Sequence, residues 1–337
     1  MYYVGLDGHK DLAVFCIQTN SGTVKEIFST SADPKGMDEL ITKMKGKRYK
    51  VLAEASTYTT DLHDYFVMRG VDSYLANPRK LKLITESNSK TDRNDALELA
   101  NYLRLWDKGE LKLSISYIVM GEDRSLRELC RYRMAVSKSK GETMQKIKAH
   151  MRRNAEYMDT ENLDSRGAMN EIRFRFGDDF ILLQLIDDYM LFDTKGNNLD
   201  REIEKMCQHR EDVKLLTTIP GIGTTTAAEI MSMIVDIGRF GSADRLRAFF
   251  GMAPKVRDSS KTVSHGHITR MGDSMMRFVL GLAVSNHCRF CPEGHIARYK
   301  RSHKGAMKAG ILMVACENKL LDLIYVILKR KTPYEQR

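Results

Sequence analysis

Tyr2-Tyr3-Val4-Gly5-Leu6-Asp7-Gly8-His9-Lys10 follows the initial Met1, and its aromatic and branched residues predict a strand over 2–6 that ends on a carboxylate. Residues 12–18 and 23–29 are again rich in Val, Ile and Phe, and the turn signal Ser21-Gly22 separates them, so the chain opens as a β-meander. The hydrophobic period then changes. Asp33-Pro34 is a helix start, Met37, Leu40, Ile41 and Met44 follow at helical steps, and 49–53 returns to strand. A helix over 58–69 and a strand over 71–76 complete the pattern near Asn77-Pro78. Three strands followed by alternating helix and strand predict an α/β domain.

Beyond Lys90 the pattern is helical, with Ala96, Leu97, Leu99, Ala100, Leu103 and Trp106 on one apolar face. A helix is expected over 121–153. There Arg124, Arg127, Arg131, Arg133, Lys138, Lys140, Lys146, Lys148, Arg152 and Arg153 stand against Glu122, Asp123, Glu128 and Glu142, which suits either a solvated face or a phosphate-binding one. Leu185, Tyr189, Phe192, Leu199, Ile203 and Met206 fall near a coiled-coil period, which Gly196-Asn197-Asn198 is expected to interrupt. From 210 onward come Ile219-Pro220-Gly221-Ile222-Gly223 between two helical stretches, a basic segment over 239–277 and an apolar helix over 309–328. The expected fold class is α/β plus α. It comprises an α/β domain over 1–110, a helical, coiled-coil-like linker over 111–210 and a mostly helical C-terminal domain over 211–337 with a helix-hairpin-helix-like element.

A chain of 337 residues is long enough for about two domains. Lys and Arg total 54 against 44 acidic residues, and the resulting charge of +10 favours a polyanionic partner. The six cysteines are too scattered for a disulfide framework and fit a reducing cytoplasm. Cys288 and Cys291, with His287 and His295 nearby, lack the second cysteine pair that would complete a structural zinc site. The N-terminus has no signal-peptide pattern and no apolar run approaches the roughly 20 residues that span a bilayer, so a cytoplasmic protein without a membrane partner is expected.

Four carboxylates carry the chemistry. Asp7 and Glu54 each end an apolar strand, where an acid is disfavoured unless something binds it. Asp92 and Asp95 share one face of a helix start through their three-residue spacing. Singly, each has a structural reading, as a helix cap or half of a salt bridge. Together they form an oxygen-rich set suited to Mg2+ or Mn2+, and two such ions about 4 Å apart serve phosphoryl transfer.

The order Asp7, Glu54, Asp92, Asp95 resembles the DEDD, RuvC-like domain of a group of prokaryotic insertion-sequence transposases and related site-specific DNA invertases, the bridge-RNA-guided recombinases. The likeness continues through Ile219-Pro220-Gly221-Ile222-Gly223, Phe249-Phe250-Gly251-Met252-Ala253-Pro254, Asp258-Ser259-Ser260 and Gly266-His267-Ile268-Thr269-Arg270-Met271-Gly272-Asp273, then Arg277. It implies an RNase H-like N-terminal domain and a C-terminal transposase domain whose serine attacks DNA to form a covalent phosphoserine. Counted from Pro254, that serine is Ser259; Ser260 follows it where relatives usually carry glycine.

The resemblance further implies donor and target DNA, a structured non-coding guide RNA, a homodimer or homotetramer, and a prokaryotic, nucleoid-associated location. Lys10, Gly221, Gly223, Lys255, Arg257, Lys261, Arg270 and Arg277 are the expected nucleic-acid contacts, the glycines because they let backbone N–H groups approach phosphate. A serine needs activation, and the basic segment offers only His265 and His267 as bases, so activation by a carboxylate-bound metal is the simpler route. The competing readings are a RuvC-like junction nuclease that uses water and an inactive nucleic-acid-binding relic.

Overall fold

The computed structural model describes residues 1–81, 91–153, 163–259, 262–269 and 271–335, with backbone alone for 255–259 and 262–267. These fall into two compact units, Met1–Met120 and Gly121–Arg337. Residues 111–120 thus belong with the α/β unit, and the rest of the expected linker belongs with the helices that follow it. Among the described residues no helix is long and apolar enough to cross a membrane.

In the first unit β1 (Tyr2–Gly8), β2 (Leu12–Thr19), β3 (Val24–Ser31), β4 (Tyr49–Glu54) and β5 (Asp72–Ala76) form a sheet in the order β3-β2-β1-β4-β5. The meander β1-β2-β3 is antiparallel, whereas β4 and β5 run parallel to β1. Helices α1 (Pro34–Lys43) and α2 (Thr57–Met68) connect the parallel strands, and α3 (Pro78–Leu81) and α4 (Asp92–Asp107) follow. Val4, Leu6, Phe15 and Ile17 pack with Met37, Leu40, Leu62 and Phe66 of α1 and α2. On the opposite face Tyr3 and Leu52 pack with Leu99 and Leu103 of α4, while Val14 and Cys16 pack with Ala96 and Ala100. Side chains alternate along a strand, so Gly5 and Asp7 share the α4 face with Tyr3, and Glu54 shares it with Leu52.

The second unit has two cores. Its first is built by α8 (Glu211–Thr217), α9 (Thr224–Ile234), α10 (Ala243–Phe249), α11 (Ser274–Phe290), α12 (His295–Ser302) and α13 (Ala309–Arg330), with Leu126, Cys130 and Met134 added from α5 (Gly121–Arg153). The second joins Met144, Ile147 and Met151 of α5 to Met169 and Ile172 of α6 (Arg166–Arg175) and Leu182, Ile186 and Tyr189 of α7 (Phe180–Cys207). Gly196-Asn197-Asn198 does not break α7, contrary to the local signal. A glycine inside a helix costs about 1 kcal/mol, which the burial of Leu182, Ile186 and Tyr189 before it and Ile203 and Cys207 after it exceeds. The C-terminal region is mostly helical, as expected, and also carries an antiparallel hairpin of β6 (Pro254–Ser259) and β7 (Thr262–Ile268).

Candidate active site

Asp7 lies near the end of β1, and the register between β1 and β4 runs to Leu6 with Ala53, so Asp7 and Glu54 are the next residues along the two neighbouring strands. What brings α4 to this place is Gly5. A Cβ there would stand 1.9 Å from the Ala96 carbonyl oxygen and 2.5 Å from the Ala100 nitrogen, so only glycine lets the helix backbone lie on the strand. Two residues along the same face of β1 comes Asp7, and one turn before Ala96 come Asp92 and, nearer, Asp95.

Neither aspartate caps α4. Thr91 does, accepting a hydrogen bond from the Asn94 amide at 3.2 Å. Asp92 and Asp95 sit in the first turn, where the helix dipole favours negative charge, with their carboxylates released from capping duty. Of the two strand-end acids, Glu54 is in no ion pair among the described residues, whereas Asp7 pairs with His9.

Asp7, Asp92 and His9 offer one ligand atom each within 4.8 Å of one another, the one group of this kind among the described residues. His9 Nε2 lies 3.2 Å from Asp7 Oδ2 and 3.5 Å from Asp92 Oδ1. Asp7 Oδ2 is buried yet has no aligned hydrogen-bond donor. Burial pushes the Asp7 carboxyl above the ordinary aspartate range; His9 opposes that shift, and the charges of Asp92 and Asp95 add to it. A buried orphan oxygen among further carboxylates fits a divalent cation, which would satisfy it and offset the repulsion. Glu54 stands at the neighbouring strand end but outside the three-residue group, and Asp95 joins through its field on Asp7. His9 is the member that the sequence reading passes over. Its position two residues after a strand-end aspartate was the available signal. Lys10 is exposed in the turn after it.

In the second unit Ser259 ends β6 and pairs with Thr262 across the hairpin. Its side chain lies outside what the structure describes, as do those of Lys255 and Arg257, and Ser260, Lys261 and Arg270 lie outside altogether. The base of the hairpin is tied down by backbone contacts. Thr269 N donates to Ala253 O at 2.9 Å, and a Cβ on Gly272 would stand 2.4 Å from the Phe250 carbonyl carbon. Asp273 caps α11, and Arg277 donates to Gly272 O at 2.7 Å and Phe250 O at 3.5 Å. The Phe-Phe-Gly and Met-Gly-Asp motifs thereby lock together beneath the strand that carries Ser259, and Arg277 is engaged in that lock.

Gly221 has a similar packing reason. Its φ is +87°, and a Cβ would stand 2.6 Å from Asn286 C and His287 N of α11. His287 Nδ1 donates to Pro220 O at 2.8 Å and ties the same hairpin to α11. Gly223, in contrast, has open space around it and begins α9 with no side-chain cap. Much of the charge on α5 is committed within the unit: Arg133 binds Asp200 at 2.8 Å, Lys140 binds Asp193 at 2.7 Å, and Arg127 donates to Ser232 O at 2.8 Å. Lys146, Arg152 and Arg153 near its C-terminal end are exposed.

Residues 4–154 match the DEDD transposase model of the IS110 type, and residues 213–300 match the model of the transposase IS116/IS110/IS902 family. The chain is 23% identical over 299 residues to the transposase for insertion sequence element IS1111A of Coxiella burnetii, covering 84% of this chain and 79% of that protein. It is 23% identical over 257 residues to the transposase for insertion sequence element IS1533 of Leptospira borgpetersenii, covering 71% and 72%. A shorter match, 29% identical over 126 residues, is to the pilin gene-inverting protein of Moraxella lacunata and covers 36% and 38%.

Proposed function

Because this chain belongs to the IS116/IS110/IS902 family of transposases, which act on DNA by strand transfer, we propose that it cleaves and rejoins DNA through Ser259 and a metal centre in its RuvC-like DEDD domain. The observation that carries the reading is the convergence of Asp7 and Asp92 from strand and helix around a buried oxygen without a donor. Asp7, Glu54, Asp92 and Asp95 would hold Mg2+ or Mn2+. A divalent cation bound there would make a hydroxyl more acidic and offset charge on the departing oxygen.

Asp7 is fixed by its strand and Asp92 and Asp95 by the helix seated on Gly5, so the ligands are oriented before DNA arrives. The Ser259 hydroxyl gives up its proton, its Oγ bonds to phosphorus, and the bond from phosphorus to one deoxyribose oxygen breaks as that oxygen takes up a proton. Attack by a deoxyribose hydroxyl of the second DNA joins the new strand and frees the serine. The phosphoester conserves bond energy, so no nucleotide cofactor is required. The interlocked base beneath β6 and β7 holds the serine-bearing strand for this step. Lys10, Lys255, Arg257, Lys261 and Arg270 serve as cationic contacts to phosphate, and the free N-terminus of α9 at Gly223 is suited to the same role.

A structured guide RNA is the proposed source of target choice, supported by the family resemblance and by the exposed cations near the end of α5. Donor and target DNA held together call for a homodimer or homotetramer. The test is to incubate the protein with Mg2+, copurifying RNA and end-labelled DNA and to look for a protease-sensitive, covalently shifted band. A band that survives Ser259→Ala removes the serine assignment. Free nicked DNA without the band favours hydrolysis by water, and neither product favours an inactive relic. Sequencing RNA from cells that carry the intact element tests the guide, which fails if no discrete species is recovered.

A further inference from the structure

We propose that His9 is itself a ligand of the cation and biases the centre toward Mn2+ over Mg2+; the inference rests on the metal-centre reading above. His9 follows β1 in a turn closed by its own backbone N–H, which donates to Leu12 O at 2.8 Å. Gly8, just before it, is pressed on α2, where a Cβ would stand 2.8 Å from Thr59 Cγ2. The backbone on both sides of the imidazole is therefore set, and the ring leans to the carboxylates from the turn.

The geometry resembles a ligand set more than an ion pair. Nε2 is 3.2 Å from Asp7 Oδ2 and interacts with it, but no well-aligned hydrogen bond satisfies that buried oxygen, and the same nitrogen stands 3.5 Å from Asp92 Oδ1, so it faces two carboxylates at once. Two atoms that bind one ion at about 2.1 Å and at right angles stand about 3 Å apart, close to the separations of Nε2 from Asp7 and from Asp92. Mg2+ prefers oxygen ligands and keeps its waters, whereas imidazole nitrogen suits transition metals better. Of the two ions that the carboxylates suit, a nitrogen donor selects Mn2+.

The full-length protein, stripped by chelation and titrated with MnCl2, tests this by electron paramagnetic resonance. Pulsed spectra of bound Mn2+ should show coupling to a directly bonded imidazole 14N, lost in His9→Ala and His9→Gln. Mn2+ affinity should fall roughly tenfold or more in both variants, while Mg2+ affinity, read by competition, changes less than about threefold by the same argument. Circular dichroism melts confirm that the variants fold, as the exposed position of His9 leads one to expect. Mn2+ that binds wild type and His9→Ala alike, without 14N coupling, overturns the proposal and leaves the carboxylate centre standing. Mn2+ binding that is absent in wild type, or that Asp7→Asn leaves unchanged, overturns the metal-centre reading itself.

Discussion

The carbonyl oxygen of Ala96 lies 1.9 Å from the point where a Cβ on Gly5 would stand. Strand and helix backbones meet there with no side chain between them, and Asp7 and Asp92 are brought together by that contact. Gly5→Ala should separate α4 from β1, destabilise the protein by about 3 kcal/mol in denaturant titration, and weaken Mn2+ binding in parallel. Unchanged stability would mean that the helix seats itself by other contacts.

Asp7→Asn removes a half-buried charge that Asp92 and Asp95 oppose. The metal-free variant should be more stable than wild type by about 1 kcal/mol, read from thermal melts in chelator. Strand transfer should fall by roughly 10²-fold or more through loss of a metal ligand. Loss of both stability and activity would instead make Asp7 a structural residue.

Glu229 on α9 is buried, and burial raises its pKa from 4.5 to about 7; Arg133 opposes the rise and Asp200 adds to it. Arg133 gives its better geometry to Asp200, at 2.8 and 3.3 Å, and reaches Glu229 only at 3.4 Å. The folded state therefore holds the Glu229 proton more tightly than the unfolded chain does. Stability should decline as pH rises from 4.5 to 7 and level off above, by on the order of 3 kcal/mol for this group. Glu229→Gln should flatten that slope in denaturation curves taken across the window.

The two hairpin glycines should part company on mutation. Gly221→Ala forces a Cβ into the α11 backbone at a positive φ and should cost about 2 to 3 kcal/mol. Gly223→Ala meets open space and should cost under about 1 kcal/mol, the difference between these residues at a helix N-cap. Melting temperatures of the two variants give the comparison directly.

The acids proposed for the site stand on strong local patterns, and the structure brings Asp7 and Asp92 of them together. Asp7 lies one residue before the end of an apolar strand, Glu54 ends another, and the three-residue step of Asp92 and Asp95 needs only a helix to align them. His9 carries no such pattern, since its role depends on a helix more than eighty residues away along the chain. Gly5 looked like any strand glycine until the helix above it was known. Gly221 carries a second demand for glycine that its local sequence does not show, since a Cβ there would meet the α11 backbone, and this stands beside its proposed approach to phosphate. The continuity of α7 through Gly196 was illegible for a related reason: the local signal is a breaker, and the contacts that override it come from α5 and α6.

The strand that carries Asp7 has β2 on one edge, β4 on the other and α4 against its face. Its amide protons can reach solvent only when two ladders and a helix contact open together, so Val4 through Leu6 should be among the slowest amides of the unit to exchange with deuterium. Breathing of the α/β unit then leaves this carboxylate in place while looser parts fluctuate, and a cation held there would face an anchor that gives way only when the unit itself unfolds.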